Sequence, residues 1–343
     1  MERVRQEIDR VDEQLISLLS RRFALSKEMG KLKSKLGTGI RDESRELKVW
    51  ERWLSLSKSH PVPEQFLQIL FEELMSFSRA IQVSTASQKR RVVIVGYGGM
   101  ARSLSSLMIM AGHAVTVTGE DMKKADAFAS EFNIVTMNWR EAVNWGEYLL
   151  LAVPPAALQS EIIDGILRMS NGKVVMDIFS SKTTAFSKLN KLSKEIQFNY
   201  VSTHPLFGPH IYPVGERIVI IPGENIESNV LNDVCGFWLH SGLTPVLSSV
   251  DEHERAMAVV QVLTHFLILG FDQAVEVASR EMQVDPQKFS TVTFRELNRI
   301  RRRVRSLKNV IMEVQLSNPH ASKVREITLR ELGTISSKIE GAL

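Results

Sequence analysis

Eight polar side chains are spaced through the first eighty or so positions: Arg5, Arg22, Lys33, Asp42, Arg45, Glu46, Ser78 and Gln82. The set is rich in cations and holds no Cys, no paired His and no Ser–His pairing. It reads as a pocket for a small polyanion, with chemistry done by electrostatics rather than by a nucleophile. Such a reaction needs a compact substrate conformer and donors placed where charge develops. A Gln donor at position 82 carries no titratable proton, so it would work over a wide pH range.

The elements that must hold these side chains are legible as helices. Positions 4, 8, 11, 15, 18, 22, 25, 29, 32 and 36 are Val, Ile, Val, Leu, Leu, Arg, Leu, Met, Leu and Leu. That four-three spacing is a coiled-coil seam, and Gly37 and Gly39 stop it. Such a helix would be roughly 50 Å long, while an 80-residue domain is only about 25 Å across. The seam therefore predicts an intertwined helical dimer. Arg22 interrupts the seam and needs an anionic partner. Lys33 lies eleven residues later on nearly the same face. Arg5 is roughly 100° around from Arg22, so it would serve a partner chain's pocket. A second helix is expected over about 42–57, with Asp42, Arg45 and Glu46 on one face. A third is expected to begin near Pro63 and end near Gln82, with Ser78 and Gln82 one turn apart. Spacing alone also allows a plain dimerisation coiled coil with solvated salt bridges.

After a polar linker, 84–90, comes the apolar strand Val92 to Val95 and then Gly96-Tyr97-Gly98-Gly99-Met100-Ala101. The first Gly allows a tight turn, the second lets the backbone approach a pyrophosphate, and Ala101 permits close helix–strand packing. The helix that follows would aim its positive end at the phosphates. Further strands are expected at 114–117, 148–153, 174–178 and 217–221, which makes a doubly wound α/β sheet. At the end of the second strand the usual ribose-binding acid position falls on Thr118 or Gly119, with Glu120 slightly late. Glu120 would suit NAD, and Lys123 and Lys124 would tolerate the extra phosphate of NADP. After residue 247 the pattern turns helical.

Composition narrows the setting. The chain has 343 residues, a formal net charge of +4 and one cysteine, Cys235. No internal disulfide can form, and a reducing cytoplasm is the simplest reading. The N-terminus lacks an apolar signal core, and no run reaches the ~18 apolar residues of a membrane span. No Cys/His set has metal-ligand spacing, so no metal is expected. The basic run Arg299 to Arg305 lacks the aromatic interleaving and wider basic surface of a nucleic-acid binder.

The segments VRQEIDRVDEQLISLLSRR, GKLKSK, RDESRE and SRAIQ together resemble the all-helical chorismate mutase family. The resemblance covers nearly all of residues 1–82. It implies rearrangement of chorismate to prephenate in an entwined dimer. Arg22 and Arg45, with Arg5 of the other chain, would hold the two carboxylates. Lys33 and Gln82 would donate to the ether oxygen, Glu46 with Asp42 would fix the ring hydroxyl, and Ser78 would support a carboxylate.

The glycine turn, LLLAVPP with Val153, DIFSSK, STHPLFGP and DEHERAMAVVQVLTHF together resemble the prephenate dehydrogenase family, over roughly residues 91–343. That resemblance implies oxidative decarboxylation of prephenate with NAD or NADP. His204, expected in a constrained loop before Pro205, matches the catalytic His; Ser180 matches a Ser near the nicotinamide. Arg303 matches a carboxylate-binding Arg, in a register crowded by Arg299, Arg301, Arg302 and Arg305. His253 and Gln261 take the family's EH and Q positions and read more readily as packing at a domain interface than as site residues. The expected organisation is multidomain α and α/β: a helical mutase domain over 1–83, the linker, a Rossmann-type domain over 91–247 and a helical C-terminal dimerisation domain over 248–343. A homodimer with tyrosine as possible inhibitor is implied. An arogenate or other small-acid dehydrogenase, whose N-terminal helices only dimerise or sense an effector, stays open.

Overall fold

The structure, a computed structural model, describes residues 1–60, 62–83, 89–209 and 213–342. Most of the expected linker lies outside the described residues. The chain divides into two compact units: Met1–Phe179 with Asn190–Leu247, and Ser180–Leu189 with Ser248–Leu343.

The first unit opens with α1 (Glu2–Leu36), α2 (Glu43–Ser57) and α3 (Glu64–Gln82). α1 ends where Gly37 adopts a left-handed φ of 64° and its N–H turns back to the Lys33 and Ser34 carbonyls. Asp42 caps α2, its carboxylate accepting from the Arg45 N–H at 2.9 Å. α1 meets α3 through Phe23 and Phe77, ring centroids 5.0 Å apart, and α2 meets α3 through Trp50 and Trp53 on Phe71. Gly30 is the residue of α1 that becomes buried. Most seam residues, including Val4, Ile8, Val11, Leu15, Leu18, Leu25, Met29 and Leu32, stay exposed. The chain alone leaves this seam uncovered, as the length of the helix demands.

The same unit continues as an α/β fold: β1 (Arg91–Val95), α4 (Gly99–Met110), β2 (Ala114–Thr118), α5 (Met122–Phe132), β3 (Val135–Thr136), α6 (Trp139–Trp145), β4 (Tyr148–Leu151), α7 (Glu161–Arg168), β5 (Val174–Asp177), α8 (Thr183–Ile196, of which the residues up to Leu189 belong to the second unit), β6 (Asn199–Pro205), β7 (Arg217–Pro222), α9 (Ser228–His240) and β8 (Thr244–Leu247). The sheet order is β3-β2-β1-β4-β5-β6-β7-β8. Pairing is parallel except between β6 and β7. Residues 92–95, 148–151 and 174–177 are buried on both faces, as strands covered by helices on two sides must be. The order reverses between β1 and β4, so the glycine turn after β1 stands at the switch point, where open α/β sheets bind ligands.

Three strands lie outside the sequence-based set: β3, β6 and β8. β6 corrects the placement of His204. That residue lies within the strand, its Cα opposite Val219 of the antiparallel β7. Pro205 is the last residue of β6, where a missing N–H is tolerated. The polar run Ser-Thr-His hides the strand from an apolar pattern.

The second unit is helical: α10 (Val250–Met257), a π-helical segment Ala258–Leu263, α11 (Thr264–Glu281), α12 (Val292–Ser306), α13 (Lys308–Ser317) and α14 (Ala321–Glu340). Val262, Val314 and Ala321 form its core. A π-turn displaces backbone partners; here Gln315 Nε2 donates to the Val262 carbonyl at 2.7 Å. The run Val250–Glu281 is apolar enough, with a mean hydropathy of 1.5 in its most apolar window, to match a membrane span by length and composition. It leaves Val259, Val260 and Leu267 exposed.

Candidate functional site

The helical part of the first unit brings four of the eight polar positions together along α1 and α3: Arg22, Lys33, Ser78 and Gln82. Arg22 donates from Nη1 to Ser78 Oγ, and its Nη2 lies 3.7 Å from Met75 Sδ. Burial lowers its pKa, and none of the ion pairs among the described residues involves it. A half-buried guanidinium without a carboxylate is costly and suits an incoming anion. One turn beyond Ser78 on α3, Gln82 donates from Nε2 to the Ser78 carbonyl at 3.1 Å, while its Oε1 is buried without a partner. Lys33 donates from Nζ to the Ile40 carbonyl. Burial pulls the Lys33 amine below the usual lysine range, and the charges of Asp42 and Glu46 pull it partly back.

Gly30, Lys33, Ser34, Gly37, Thr38, Ile40 and Gln82 line a small cavity, which Leu239 and His240 at the end of α9 close. Gly30 makes the approach of α1 to α3 possible. A Cβ there would stand 2.3 Å from the Gln82 carbonyl oxygen and 2.6 Å from its Cα.

The remaining positions sit apart. Asp42 and Arg45 are exposed at the start of α2. The Arg45 N–H, followed by the Ser44 hydroxyl, holds the Asp42 carboxyl below its usual range. Arg5 is exposed near the far end of α1, 3.8 Å from Glu2, and about 25 Å along the axis from Arg22. Glu46 is held by Arg79 at 2.9 Å and lies 3.7 Å from Arg41. Neither arginine stands out in the sequence as a seam residue, although Arg79 falls inside SRAIQ and Arg41 opens RDESRE.

At the switch point Gly96 has φ +117°, and a Cβ on it would meet the Ala152 carbonyl oxygen at 2.4 Å and Val153 Cγ1 at 3.1 Å. Around a Cβ placed on Gly98 there is open space to 4 Å. Gly98 precedes α4 with no side-chain cap on the helix, so first-turn N–H groups face that space. Ala101 is fully buried against the sheet. Tyr97 lies over Gly119, whose Cβ would meet its ring at 2.7 Å. At the end of β2 the Thr118 hydroxyl is buried without a partner. Glu120 follows, exposed. Asp121 caps α5 through the N–H groups of Lys123 and Lys124. A pyrophosphate at the bare helix end and a ribose near Thr118 fit this cradle.

His204 is almost fully buried in β6. On the neighbouring strand Asp177 accepts from the Tyr200 hydroxyl at 2.7 Å and from the Phe179 N–H at 3.0 Å. Thr203 Oγ1 donates to the Asp177 carbonyl at 2.6 Å. Burial first, then the Asp177 charge, drives the Tyr200 phenol far above its usual range.

In the second unit Ser180 is half-buried. Beside it in sequence, the N–H groups of Lys182 and Thr183 both donate to Glu254 Oε1. Asn318 Nδ2 donates to Glu254 Oε2 at 2.9 Å. Burial raises the Glu254 carboxyl, and those N–H groups pull it back down. On α12, Arg301 and Arg305 are taken up by Asp272, at 3.1 and 2.7 Å, while Arg303 is exposed. His253 is buried, and so is Gln261 Oε1, which has no partner.

Comparison with known proteins follows this division. Residues 4–83 match the family described as chorismate mutase type II. Residues 91–181 match coenzyme F420-dependent NADP oxidoreductases, and residues 249–341 match the dimerization domain of prephenate dehydrogenase. A chorismate mutase of Methanocaldococcus jannaschii is 32% identical over 79 residues, 23% of this chain and 80% of its own length. A probable arogenate/prephenate dehydrogenase of the same organism is 25% identical over 255 residues, 72% of this chain; the match spans 56% of that relative's length. A T-protein of Enterobacter agglomerans is 24% identical over 294 residues, 82% of this chain and 72% of its own.

Proposed function

Because the chain belongs to the chorismate mutase family through residues 4–83 and its residues 249–341 match a prephenate dehydrogenase dimerization domain, we propose that it performs two consecutive steps of tyrosine biosynthesis. The first rearranges chorismate to prephenate. The second oxidises and decarboxylates prephenate to 4-hydroxyphenylpyruvate. The observation that carries this reading is the half-buried, carboxylate-free Arg22 on the same α1–α3 interface as Lys33 and Gln82, in a chain that also builds the glycine cradle after β1.

In the rearrangement no proton, nucleophile or electron acceptor is required. Arg22 and Arg45, with Arg5 of a second chain, hold the two carboxylates, and Ser78 orients one of them. Lys33 and the Gln82 amide donate to the ether oxygen as its bond to the ring breaks and negative charge grows there. Glu46, with Asp42 near, accepts from the ring hydroxyl. The Lys33 amine leaves the Ile40 carbonyl to do this.

In the second step, the cradle 96–101, flanked by Val153, would hold a nicotinamide dinucleotide, which would supply the hydride acceptor. NAD is favoured because Thr118 and Glu120 offer ribose partners. His204 takes the proton of the ring hydroxyl while hydride leaves the same carbon. The carboxylate then departs as CO2, its bonding pair completes the aromatic ring, and the ring oxygen takes the proton back from His204 to become the phenol. Ser180 orients the reacting groups and Arg303 binds a prephenate carboxylate. The exposed faces of α1 and of Val250–Glu281 pair with a second copy, making a cytoplasmic homodimer. Tyrosine, one amination beyond 4-hydroxyphenylpyruvate, is the inhibitor to assay.

The test is one cuvette holding protein, chorismate and then NAD or NADP. Chorismate should disappear and reduced nicotinamide should form. Lys33→Ala should slow the rearrangement by on the order of 100-fold or more and spare oxidation of supplied prephenate. His204→Ala should do the reverse, costing about 100-fold or more in oxidation. Equal loss of both activities in either folded variant would sink the two-site reading, and reduction with arogenate alone would reassign the second substrate.

A further inference from the structure

Glu46, the carboxylate assigned above to the ring hydroxyl, does not stand alone. Arg79 Nη1 donates to its Oε1 at 2.9 Å, and Arg41 Nε lies 3.7 Å from Oε2. Both arginines reach past Glu46 to one short strap of the α/β fold, residues 213–217. Arg79 Nε donates to the Val214 carbonyl at 3.1 Å, and Arg41 Nη1 donates to Glu216 Oε1 at 3.3 Å. Between these anchors sits Gly215, with φ +87°. A Cβ there would stand 2.8 Å from Arg41 Cβ and 2.9 Å from Arg79 Cδ, so only glycine lets both arginine stems lie on the strap. The strap is itself pinned: the Gly215 N–H donates to the Gly242 carbonyl at 2.6 Å, and Arg217 Nη2 donates to Glu43 Oε1 at 2.9 Å. Arg79 and Glu46 are 14% and 21% exposed, which leaves little freedom to either side chain.

We propose that Arg79, supported by Arg41, is a positioning residue for the rearrangement: it clamps Glu46 between α3 and the 213–217 strap, so that the α/β fold completes the mutase site. This rests on the mutase reading of Glu46. A guanidinium is a planar fork with donors in fixed directions, so one Arg79 serves the carboxylate and the Val214 carbonyl at once. A lysine carries its three donors on one nitrogen, so it cannot span the two acceptors as Nε and Nη1 do and should hold Glu46 less firmly. With the clamp in place Glu46 keeps one rotamer before substrate arrives, and no ordering is left for the bound state.

The test compares full-length Arg79→Met, Arg79→Lys, Glu46→Gln, the double variant Arg79→Met/Glu46→Gln, and Glu216→Gln. It reads kcat and KM for chorismate, oxidation of supplied prephenate, and Tm. Arg79→Met should lower mutase kcat about tenfold with KM within about twofold, as expected for lost orientation. Arg79→Lys should recover part of the loss. The double variant should be no slower than Glu46→Gln alone within about twofold, because Arg79 acts through Glu46. Multiplying losses in the double variant, or full mutase kcat in Arg79→Lys, would overturn the clamp. If Arg79→Met does not fold, Glu216→Gln still decides: it takes the charge off only the Arg41 anchor, leaving a neutral acceptor, and should lower mutase kcat about two- to threefold at unchanged Tm, and an unchanged kcat overturns the strap's part. A Glu46→Gln protein with full mutase activity would instead bring down the mutase reading of Glu46.

Discussion

Lys33 shows how the charge of one side chain depends on two neighbours. Its half-buried amine is biased toward losing its proton, and Asp42 and Glu46 oppose that bias. Asp42→Asn keeps the cap of α2, since Asn caps as well as Asp, yet removes one of the two negative charges. The Lys33 pKa must then fall further. The alkaline limb of mutase kcat/KM should therefore move to lower pH, while the acid side stays flat because Gln82 does not titrate. A pH–rate profile from about pH 6 to 10 reads this directly; an unmoved limb would mean that it does not report Lys33. At this scale the sequence was partly legible. Arg22 announced itself by breaking a hydrophobic seam. Arg79 and Arg41 did not, because a cation on a helix face or in a loop is ordinary, and their meaning comes from a strap more than 130 residues away, at Val214 and Glu216.

Among the elements, the pairing of α1 with α3 hangs on Gly30. A methyl group there would collide with the backbone of Gln82 rather than with a flexible side-chain end. Gly30→Ala should therefore push the helices apart, with a loss of about 1–3 kcal/mol in a denaturant titration, and should lower mutase activity more than oxidation of supplied prephenate. Nothing in the sequence marks Gly30 as a close-approach point, since a glycine inside a helical pattern is equally an unneeded one. α1, α2 and α3 were legible to within a residue or two, because the apolar period of α1 is long and stops at Gly37, α2 starts at its Asp42 cap and α3 follows Pro63. β1, β2, β4, β5 and β7 were legible as apolar runs. β3, only two residues long, β6 with its polar centre, and β8 with Pro245 were not. His204 was recognised for its chemistry and misplaced for that reason: a strand whose hydrogen bonds are made by a β7 partner need not look apolar at every position.

For the molecule as a whole, acid sensitivity has an identifiable source in the first unit. His113 is buried beside Phe237, rings 4.7 Å apart, and its Nδ1 accepts from the Arg90 N–H. Burial, helped by His240 and Arg90, depresses its pKa to about 4, against about 6.5 in an unfolded chain. The unfolded state then binds the proton more readily, so stability present above pH ~6.5 drains away as the pH falls toward 4, by about 3 kcal/mol. His113→Asn retains an acceptor for Arg90 and should flatten the stability curve over that window; a curve as steep as that of the wild type would place the sensitivity elsewhere. The uncovered seam of α1 carries a different consequence. More than 300 residues follow it in the chain. At roughly 5–20 residues per second on the ribosome, the seam is out and bare for about 15–60 seconds before the last helix is made. Two ribosomes translating one message hold two such seams close together, so the pairing of copies can begin on the polysome, with the cradle and the C-terminal helices still unwritten.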